Sequence, residues 1–146
     1  AWVLADRLDE ALAVFDDAVA LLPEEPSLYV DRGLALALAG ELWAAVDDFN
    51  RAEDLAPGRI DVLIYRATAY RYLEAWELAS ADLERVLALD PRNPNALLER
   101  GQLRRAQGDR DAARQDFLEV LRIDPDGPLA EAARLAIEEM DLKVED

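Results

Sequence analysis

Apolar residues in this chain recur every three or four positions, and proline or glycine interrupts the pattern at regular intervals. Because an α-helix has 3.6 residues per turn, such positions share one helix face, so the pattern predicts amphipathic helices joined by short turns. Pro57, Pro91 and Pro125 follow one another at a spacing of 34 residues, which indicates an internal repeat of that length. The pattern therefore predicts a tandem array of helical repeats.

Each repeat divides into two predicted helices. The first helices are predicted at 27–39, 61–73 and 95–107, the second at 8–21, 42–55, 76–89 and 110–122, and a last amphipathic helix at 128–142. Pro26 and Pro94 suit the first turn of a helix, and we expect Ser27 and Asn95 to cap the same two helices. Each second helix ends near a proline, which cannot continue the helical hydrogen bonding.

The segment 33–46, GLALALAGELWAAV, alternates Leu and Ala in its first half, a pattern that alone would suggest a β-strand. It is shorter than the roughly 20 residues of a membrane helix, and it lies well inside the chain without the basic flank of a signal peptide. The repeat register instead makes it the end of one helix and the start of the next. Gly40 separates these two helices as Gly108 separates the corresponding pair.

Small, aromatic and proline residues occur in a fixed order within each repeat. The matching residues are Tyr29, Gly33, Ala45, Phe49 and Pro57 in 26–59, Ala67, Tyr70, Ala79 and Pro91 in 60–93, and Gly101, Ala113, Phe117 and Pro125 in 94–127. This order resembles the signature of the tetratricopeptide repeat family. The resemblance extends to a partial repeat at 1–25 and to a capping helix and tail at 128–146.

The resemblance implies an all-α fold, a right-handed α-solenoid of antiparallel helix pairs. Two helices approach closely only where one side chain is very small, so Gly33, Ala67 and Gly101 are expected to face the alanine of their second helix. A larger side chain would overpack the contact at a cost of about 1–3 kcal/mol. One repeat cannot bury its apolar face alone, and stacking of neighbouring repeats builds a continuous core.

The charge balance limits the partners. The chain has 32 acidic and 16 basic residues, a net charge of −16, which repels nucleic acid and anionic membranes. We therefore expect neither nucleic-acid binding nor membrane insertion. The sequence fits a soluble protein of the cytoplasm or the periplasm and does not decide between them. Because the chain starts at Ala1 and not at Met, we expect a processed or excerpted sequence, with room for more repeats or a targeting segment upstream.

The residue types present argue against catalysis. There is no His and no Cys, which removes the commonest general base and the commonest metal ligands. Serine and threonine are limited to Ser27, Thr68 and Ser80. Asp47 and Asp48 could be imagined as an acid–base pair, but neighbours in a helix point in different directions. We therefore expect no enzyme activity and no catalytic, cofactor-binding or metal site.

An arginine in each first helix and an aspartate in each second helix recur at the repeat spacing. The pairs are Arg32 with Asp48, Arg66 with Asp82 and Arg100 with Asp116. A planar guanidinium suits bidentate pairing with a carboxylate in a half-buried place, so the favoured hypothesis is three structural ion pairs. The resemblance agrees, since this variant is frequent in bacterial members of the family. The alternative is three arginines directed at an acidic ligand.

By the resemblance, the first helices line the hollow face of the array, and their exposed side chains form the partner-binding surface. This predicted concave face comprises Ser27, Val30, Leu34, Ala37, Leu38, Asp61, Ile64, Thr68, Arg71, Tyr72, Asn95, Leu98, Gln102, Arg105 and Ala106. Its early part is apolar, and its later part is mixed. Leu34, Ala37 and Leu38 are expected to form an apolar floor.

Arg71 and Arg105 are equivalent in the repeat and therefore predicted to be adjacent, with Arg104 beside them. They could anchor an acidic ligand, or they could be solvated and paired internally, which is the favoured hypothesis. The acidic partners considered are Glu74, Asp109 and Asp111. Some relatives hold a peptide's free carboxylate with Lys, Asn and Arg, but the only lysine here is Lys143, so that clamp is incomplete.

The resemblance implies a protein–protein interaction scaffold that binds a peptide or helix of a partner protein in the concave groove. The alternative is a structural assembly module that self-associates through its N-terminal edge. There Trp2 is predicted to stand in the first helix of an incomplete repeat and to leave apolar surface exposed.

Overall fold

The structure, a computed structural model, describes residues 2–142, with side chains from residue 3 onward. Within that range every regular element is an α-helix, which confirms the all-α prediction. The helices are α1 Trp2–Leu21, α2 Pro26–Leu38, α3 Leu42–Leu55, α4 Ile60–Tyr72, α5 Trp76–Leu89, α6 Pro94–Ala106, α7 Arg110–Ile123 and α8 Ala130–Leu142. None of the helices in residues 2–142 is long and apolar enough to cross a membrane.

The first helices of the repeats begin one residue earlier than predicted, and this moves their caps. Pro26 and Pro94 occupy the first helical position, so the cap is the residue before each proline. Asn93 caps α6, and its side-chain oxygen accepts a hydrogen bond from the backbone N–H of Ala96 at 3.0 Å. The expectation that Ser27 and Asn95 are caps is wrong, because both lie inside the first turn.

The repeat pattern predicts that one helix ends before residue 8 and that a second helix begins there. The structure instead has a single helix, α1, over Trp2–Leu21. Asp6 lies 34 residues before Gly40, and where Gly40 turns the chain, Asp6 continues the helix. No glycine or proline interrupts residues 2–20, so nothing in this segment favours a turn over continued helical hydrogen bonding. Trp2 therefore begins α1 and does not belong to a separate helix, and its side chain lies outside the described residues.

The helices form two units, one ending at Ala75 and one starting at Trp76. In the first unit α2 packs against α1, α3 and α4, and α3 packs against α4. Its core is built from fully buried side chains, among them Phe49, Val62 and Leu63. Gly33 admits the ring of Phe49, since a Cβ atom built on Gly33 would lie 2.7 Å from Phe49 Cε1. The close approach of α2 and α3 thus depends on the missing side chain.

In the second unit α6 and α7 form the corresponding pair, and α8 packs on α7. The core cluster consists of Leu97, Ala113, Phe117, Val120, Ala133, Ala136 and Met140. Gly101 repeats the role of Gly33, because a Cβ atom there would lie 2.5 Å from Phe117 Cε1. The same glycine–phenylalanine contact therefore closes one helix pair in each unit.

Candidate functional site

A groove of about 630 Å³ opens in the first unit between α2, the start of α3 and α4. We call it the α2–α4 groove. Its lining residues are Leu34, Ala37, Leu38, Gly40, Leu42, Phe49, Tyr65, Thr68, Ala69 and Tyr72. None of these ten residues is charged, so the groove offers an apolar surface to whatever enters it.

The two walls of the α2–α4 groove follow from helical spacing. Leu34, Ala37 and Leu38 stand at positions i, i+3 and i+4 of α2 and therefore share one face. On α4 the lining positions 65, 68, 69 and 72 have the same relation over two turns. The rim is exposed, since Leu38 is 77 % and Tyr72 64 % exposed to solvent. Large apolar side chains left this open are available to a partner.

The floor of the groove is part of the core. Phe49 is only 1 % exposed, and its ring centroid lies 6.1 Å from that of Tyr65. Thr68 donates its hydroxyl to the carbonyl of Ile64, one turn earlier in α4, at 3.0 Å. This local bond satisfies the hydroxyl within its own helix. Apart from the hydroxyls of Tyr65 and Tyr72, the lining side chains offer no further hydrogen-bonding group, so the groove selects mainly by shape and apolar contact.

The structure brings together five residues of the predicted concave face, Leu34, Ala37, Leu38, Thr68 and Tyr72. The expectation that Val30 is exposed is wrong, because its side chain is 4 % exposed. α2 is packed on three neighbouring helices, and Val30 is buried together with Tyr29. Ser27 and Asp31 on the same helix are exposed. The remaining predicted residues of α4 are Asp61, Ile64 and Arg71, which do not line the groove.

Asp61 is engaged in an ion pair at the start of α4. Its carboxylate accepts a hydrogen bond from Arg59 Nη2 at 2.7 Å and another from the backbone N–H of Val62 at 2.9 Å. The hydrogen bond from Arg59 holds the pKa of Asp61 below its ordinary value, although partial burial opposes the shift. Asp61 therefore stabilises the first turn of α4 as an anion, where the helix dipole also favours negative charge.

The predicted residues of α6 lie in the second unit and have partners of their own. Arg105 Nη2 bonds to Glu139 Oε2 at 2.8 Å, so its partner is an acid of α8 and none of the three acids considered. Arg104 bonds to Asp116 at 2.9 Å. Leu98 is half-buried against the core cluster of the second unit.

Two other positions of the predicted surface on α6 are described. Asn95 lines a small pocket of about 180 Å³ beside Pro94 and Pro128, and Gln102 is half-buried. Arg71 lies in the first unit, with its guanidinium carbon 4.5 Å from the ring centroid of Tyr72. The predicted adjacency of Arg71 and Arg105 stays a prediction.

Comparison with known proteins identifies the family. The tetratricopeptide repeat family model matches residues 66–138, half of the chain, and a second tetratricopeptide repeat model matches residues 5–60. The chain belongs to the tetratricopeptide repeat family. It is 43 % identical over 54 residues to tetratricopeptide repeat protein 36 of Xenopus tropicalis and 42 % identical over 55 residues to the Homo sapiens protein of that name. Those matches span 36 % and 38 % of this chain, and 27 % and 29 % of the two relatives.

Solved tetratricopeptide structures share the fold. A tetratricopeptide repeat protein from Parabacteroides merdae superimposes with a TM-score of 0.84 at 21 % identity, over 95 % of this chain and 54 % of that one. The first tetratricopeptide domain of Spaghetti (RPAP3), bound to the HSP90 peptide SRMEEVD, gives 0.70 at 21 % identity, over 83 % and 94 %. MamA gives 0.74 at 19 % identity, over 94 % and 81 %. The predicted fold class, a tetratricopeptide solenoid of antiparallel helix pairs, is thereby confirmed.

Two of the three recurrent arginines, Arg32 and Arg100, bind the aspartate of their own helix pair. Arg32 donates from Nε and Nη2 to the two carboxylate oxygens of Asp48, each at 2.8 Å. Its Nη1 donates to Asp16 of α1 at 3.0 Å, so one guanidinium joins three helices. These bonds raise the pKa of Arg32 well above its ordinary value. The aspartate side chain is 8 % exposed, and a carboxylate buried to this extent needs such a partner.

The third tetratricopeptide repeat carries the same arrangement. Arg100 donates from Nε and Nη2 to the carboxylate of Asp116 at 3.0 and 2.8 Å. In the second repeat, Arg66 donates to Asn50 at 3.0 Å. Asn50 lies 34 residues after Asp16 and is therefore its equivalent in the repeat. The pairing of Arg66 with Asp82 stays a prediction.

Sequence reasoning missed Tyr65, which forms part of the groove wall. The family-based register placed Ile64 and Thr68 on the binding face and left Tyr65 out. The sequence does contain a signal, because Tyr65, Thr68 and Tyr72 recur at i, i+3 and i+7. Two large aromatic residues on that stripe, both exposed beyond a third of their surface, mark the face of α4 that borders the groove.

Proposed function

We propose that the chain is a protein-interaction module that binds a peptide or helix of a partner protein in the α2–α4 groove. The observation that carries the proposal is the apolar groove itself, with a buried floor at Phe49 and exposed rim residues Leu38 and Tyr72. A related tetratricopeptide domain, that of Spaghetti (RPAP3), binds a peptide of HSP90, which supports this class of function. The proposal assigns no catalytic step, in keeping with a chain that contains no His and no Cys.

The affinity would come mainly from apolar burial. Covering a leucine- or phenylalanine-sized side chain contributes about 1.5–3 kcal/mol, and the groove presents two such side chains at its rim. Only a few rim residues then carry most of the binding energy, as in other interfaces. The partner must supply a large apolar side chain that fits between Leu38 and Tyr72.

The test is substitution of Leu38 by aspartate. Because Leu38 is 77 % exposed, Leu38→Asp should keep the chain folded while it places a charge at the rim, with only a small loss of stability from a carboxylate at the C-terminus of α2. We expect recovery of the main co-purifying partner to fall at least tenfold, measured by quantitative mass spectrometry and then by calorimetry with the purified partner. Leu89→Asp is the matched control, since Leu89 is 65 % exposed on α5. Equal recovery with Leu38→Asp and Leu89→Asp would remove the groove from the binding site.

A second function, self-association through α1, is favoured by a separate observation. Val14 is 64 % and Leu21 80 % exposed, although α1 corresponds to the second helix of a repeat. Phe15 is half-buried, whereas the equivalent Phe49 is 1 % exposed. Light scattering over a hundredfold range of concentration tests this function. A constant monomer mass would contradict it, and a mass that rises in the parent chain but not in Val14→Lys would support it.

A further inference from the structure

The C-terminal ends of two helices border the open end of the α2–α4 groove. Leu38 is the last residue of α2 and Tyr72 the last residue of α4, and both line the groove. Two helices therefore end beside the same opening. The C-terminus of a helix carries a partial negative charge of about half an elementary charge, which favours a cation nearby.

Two exposed glutamates lie close in sequence to the residues at this opening. Glu41 lies between the lining residues Gly40 and Leu42, and Glu74 follows Tyr72 by two residues. Both side chains are exposed, and neither forms an ion pair with a described residue. They are thus available to a cationic side chain that is bound next to the groove.

The surroundings reinforce this local field. Residues 1–75 contain 15 acidic and six basic residues, a net charge of −9. Arg71 opposes this field at the rim, since its guanidinium carbon lies 4.5 Å from the ring centroid of Tyr72, but the acidic residues of 1–75 outnumber the basic ones. A field of this sign attracts basic partners and repels acidic ones, with an effect on association rate as well as on affinity.

The groove also restricts the conformation of its occupant. It is walled by helices whose backbone groups are bonded internally, and the hydroxyl of Thr68 is already donated to Ile64. An extended peptide would find only the hydroxyls of Tyr65 and Tyr72 there as side-chain partners, too few for its own series of N–H and C=O groups. A helix satisfies these groups itself and presents side chains at i, i+3, i+4 and i+7 to an apolar groove.

From these observations we infer that the occupant is a basic amphipathic helix, with large apolar residues against Leu38 and Tyr72 and a Lys or Arg beside Glu41 and Glu74. The inference rests on the proposed function and specifies its partner class. It also separates this chain from a domain that takes an acidic peptide tail. The peptide SRMEEVD, which is bound by the related domain of Spaghetti (RPAP3), is expected not to bind here.

The experiment is a selection that does not presuppose the partner. A phage library of 16-residue helical peptides, randomised at all surface positions, is panned on the whole chain and counter-selected on Leu38→Asn, which removes the apolar side chain without adding charge. We expect the clones that depend on Leu38 to carry apolar residues at helical spacing and an excess of Lys and Arg over Asp and Glu. A synthetic peptide of the leading clone is then titrated by calorimetry, with SRMEEVD as the acidic comparison.

Charge reversal at the rim provides the second arm. Glu41→Lys/Glu74→Lys should weaken the selected peptide at least tenfold, and the loss should shrink as salt is raised. Asp17→Lys/Glu24→Lys changes the net charge equally at exposed positions outside the groove, and it should weaken binding twofold or less. Melting curves establish that both double variants are folded.

The outcomes are distinguishable. Leu38-dependent clones that are neutral or acidic, or tight binding of SRMEEVD, would overturn the inference and leave the groove as a binding site. An equal loss in the two double variants would also overturn it, because the effect would then come from net charge alone. If no clone depends on Leu38, both the inference and the proposed function are contradicted.

Discussion

Gly33 and Phe49 illustrate how one residue pair sets the distance between two helices. The ring of Phe49 occupies the place where a side chain of residue 33 would be, with only 2.7 Å between its Cε1 and an added Cβ atom. Gly101 and Phe117 repeat the contact. Where the repeat register has Leu83 in place of the phenylalanine, the small residue is an alanine. In the sequence, each phenylalanine is thus accompanied by a glycine and the leucine by an alanine.

This reciprocity predicts the effect of Gly33→Ala. Overpacking against Phe49 costs about 1–3 kcal/mol, while alanine gains about 1 kcal/mol of helix propensity, so we expect a net loss of about 1–2 kcal/mol. In the Phe49→Leu background the ring is absent, and the same substitution should be neutral or stabilising. Urea unfolding of the four proteins measures the coupling. An identical cost of Gly33→Ala in both backgrounds would show that the ring is not what excludes the methyl group.

The turns between helices show how far an element can be predicted from its sequence. Gly40 and Gly108 adopt left-handed backbone angles, with φ of 83° and 86°, as expected of glycine at the end of a helix. Glu74 occupies the equivalent position with φ of 59°, and its turn closes with the same pattern of backbone hydrogen bonds. A glutamate does not by itself indicate a turn. The turn at Glu74 can be predicted only from its position, 34 residues after Gly40 and 34 before Gly108.

We therefore predict that Glu74→Gly stabilises the chain. A non-glycine residue in the left-handed region costs about 1–2 kcal/mol, and the greater freedom of glycine in the unfolded chain offsets part of the gain. The expected increase in the free energy of unfolding is about 0.5–1 kcal/mol, from chemical denaturation. Gly108→Glu is the reverse control and should lose about 1 kcal/mol. A neutral or destabilising Glu74→Gly would mean that the glutamate makes a compensating interaction.

The 34-residue repeat predicted the bounds of α2 to α8 to within two residues. It did not predict features that depend on packing against neighbouring helices. α1 is continuous because Asp6 tolerates helix as readily as a turn, and no local residue settles the choice. Val30 carries the same apolar side chain whether it faces solvent or core, and the packing of α2 on three helices decides its burial. Tyr65 lies on the groove wall because of the rotation of α4, which the repeat pattern fixes only approximately.

At the scale of the whole molecule, each of the two units contains its own glycine–phenylalanine contact and its own bidentate arginine–aspartate pair. Arg32 and Asp48 lie in the first unit, and Arg100 and Asp116 in the second. In repeat proteins the stability is approximately a sum of terms for single repeats and for nearest neighbours. Local damage should then remain local.

Hydrogen exchange can measure this locality. Gly101→Ala overpacks the contact with Phe117, so amide protection should fall mainly in α6 and α7. Protection in α2 and α3 should change much less. The matched variant Gly33→Ala should give the opposite distribution. A uniform loss of protection along the chain in both variants would show that the two units unfold together in a single transition.

Phe49 belongs at once to the core of the first unit and to the floor of the α2–α4 groove. A substitution of Phe49 that changes binding specificity would therefore also change the stability of the fold. Leu38 and Tyr72 can be substituted with little effect on core packing. New partners are accordingly easiest to acquire at the rim, over a floor that stays constant. Engineering of this chain for a different helix should begin at those two exposed positions, and natural divergence of its binding preference would be expected to follow the same route.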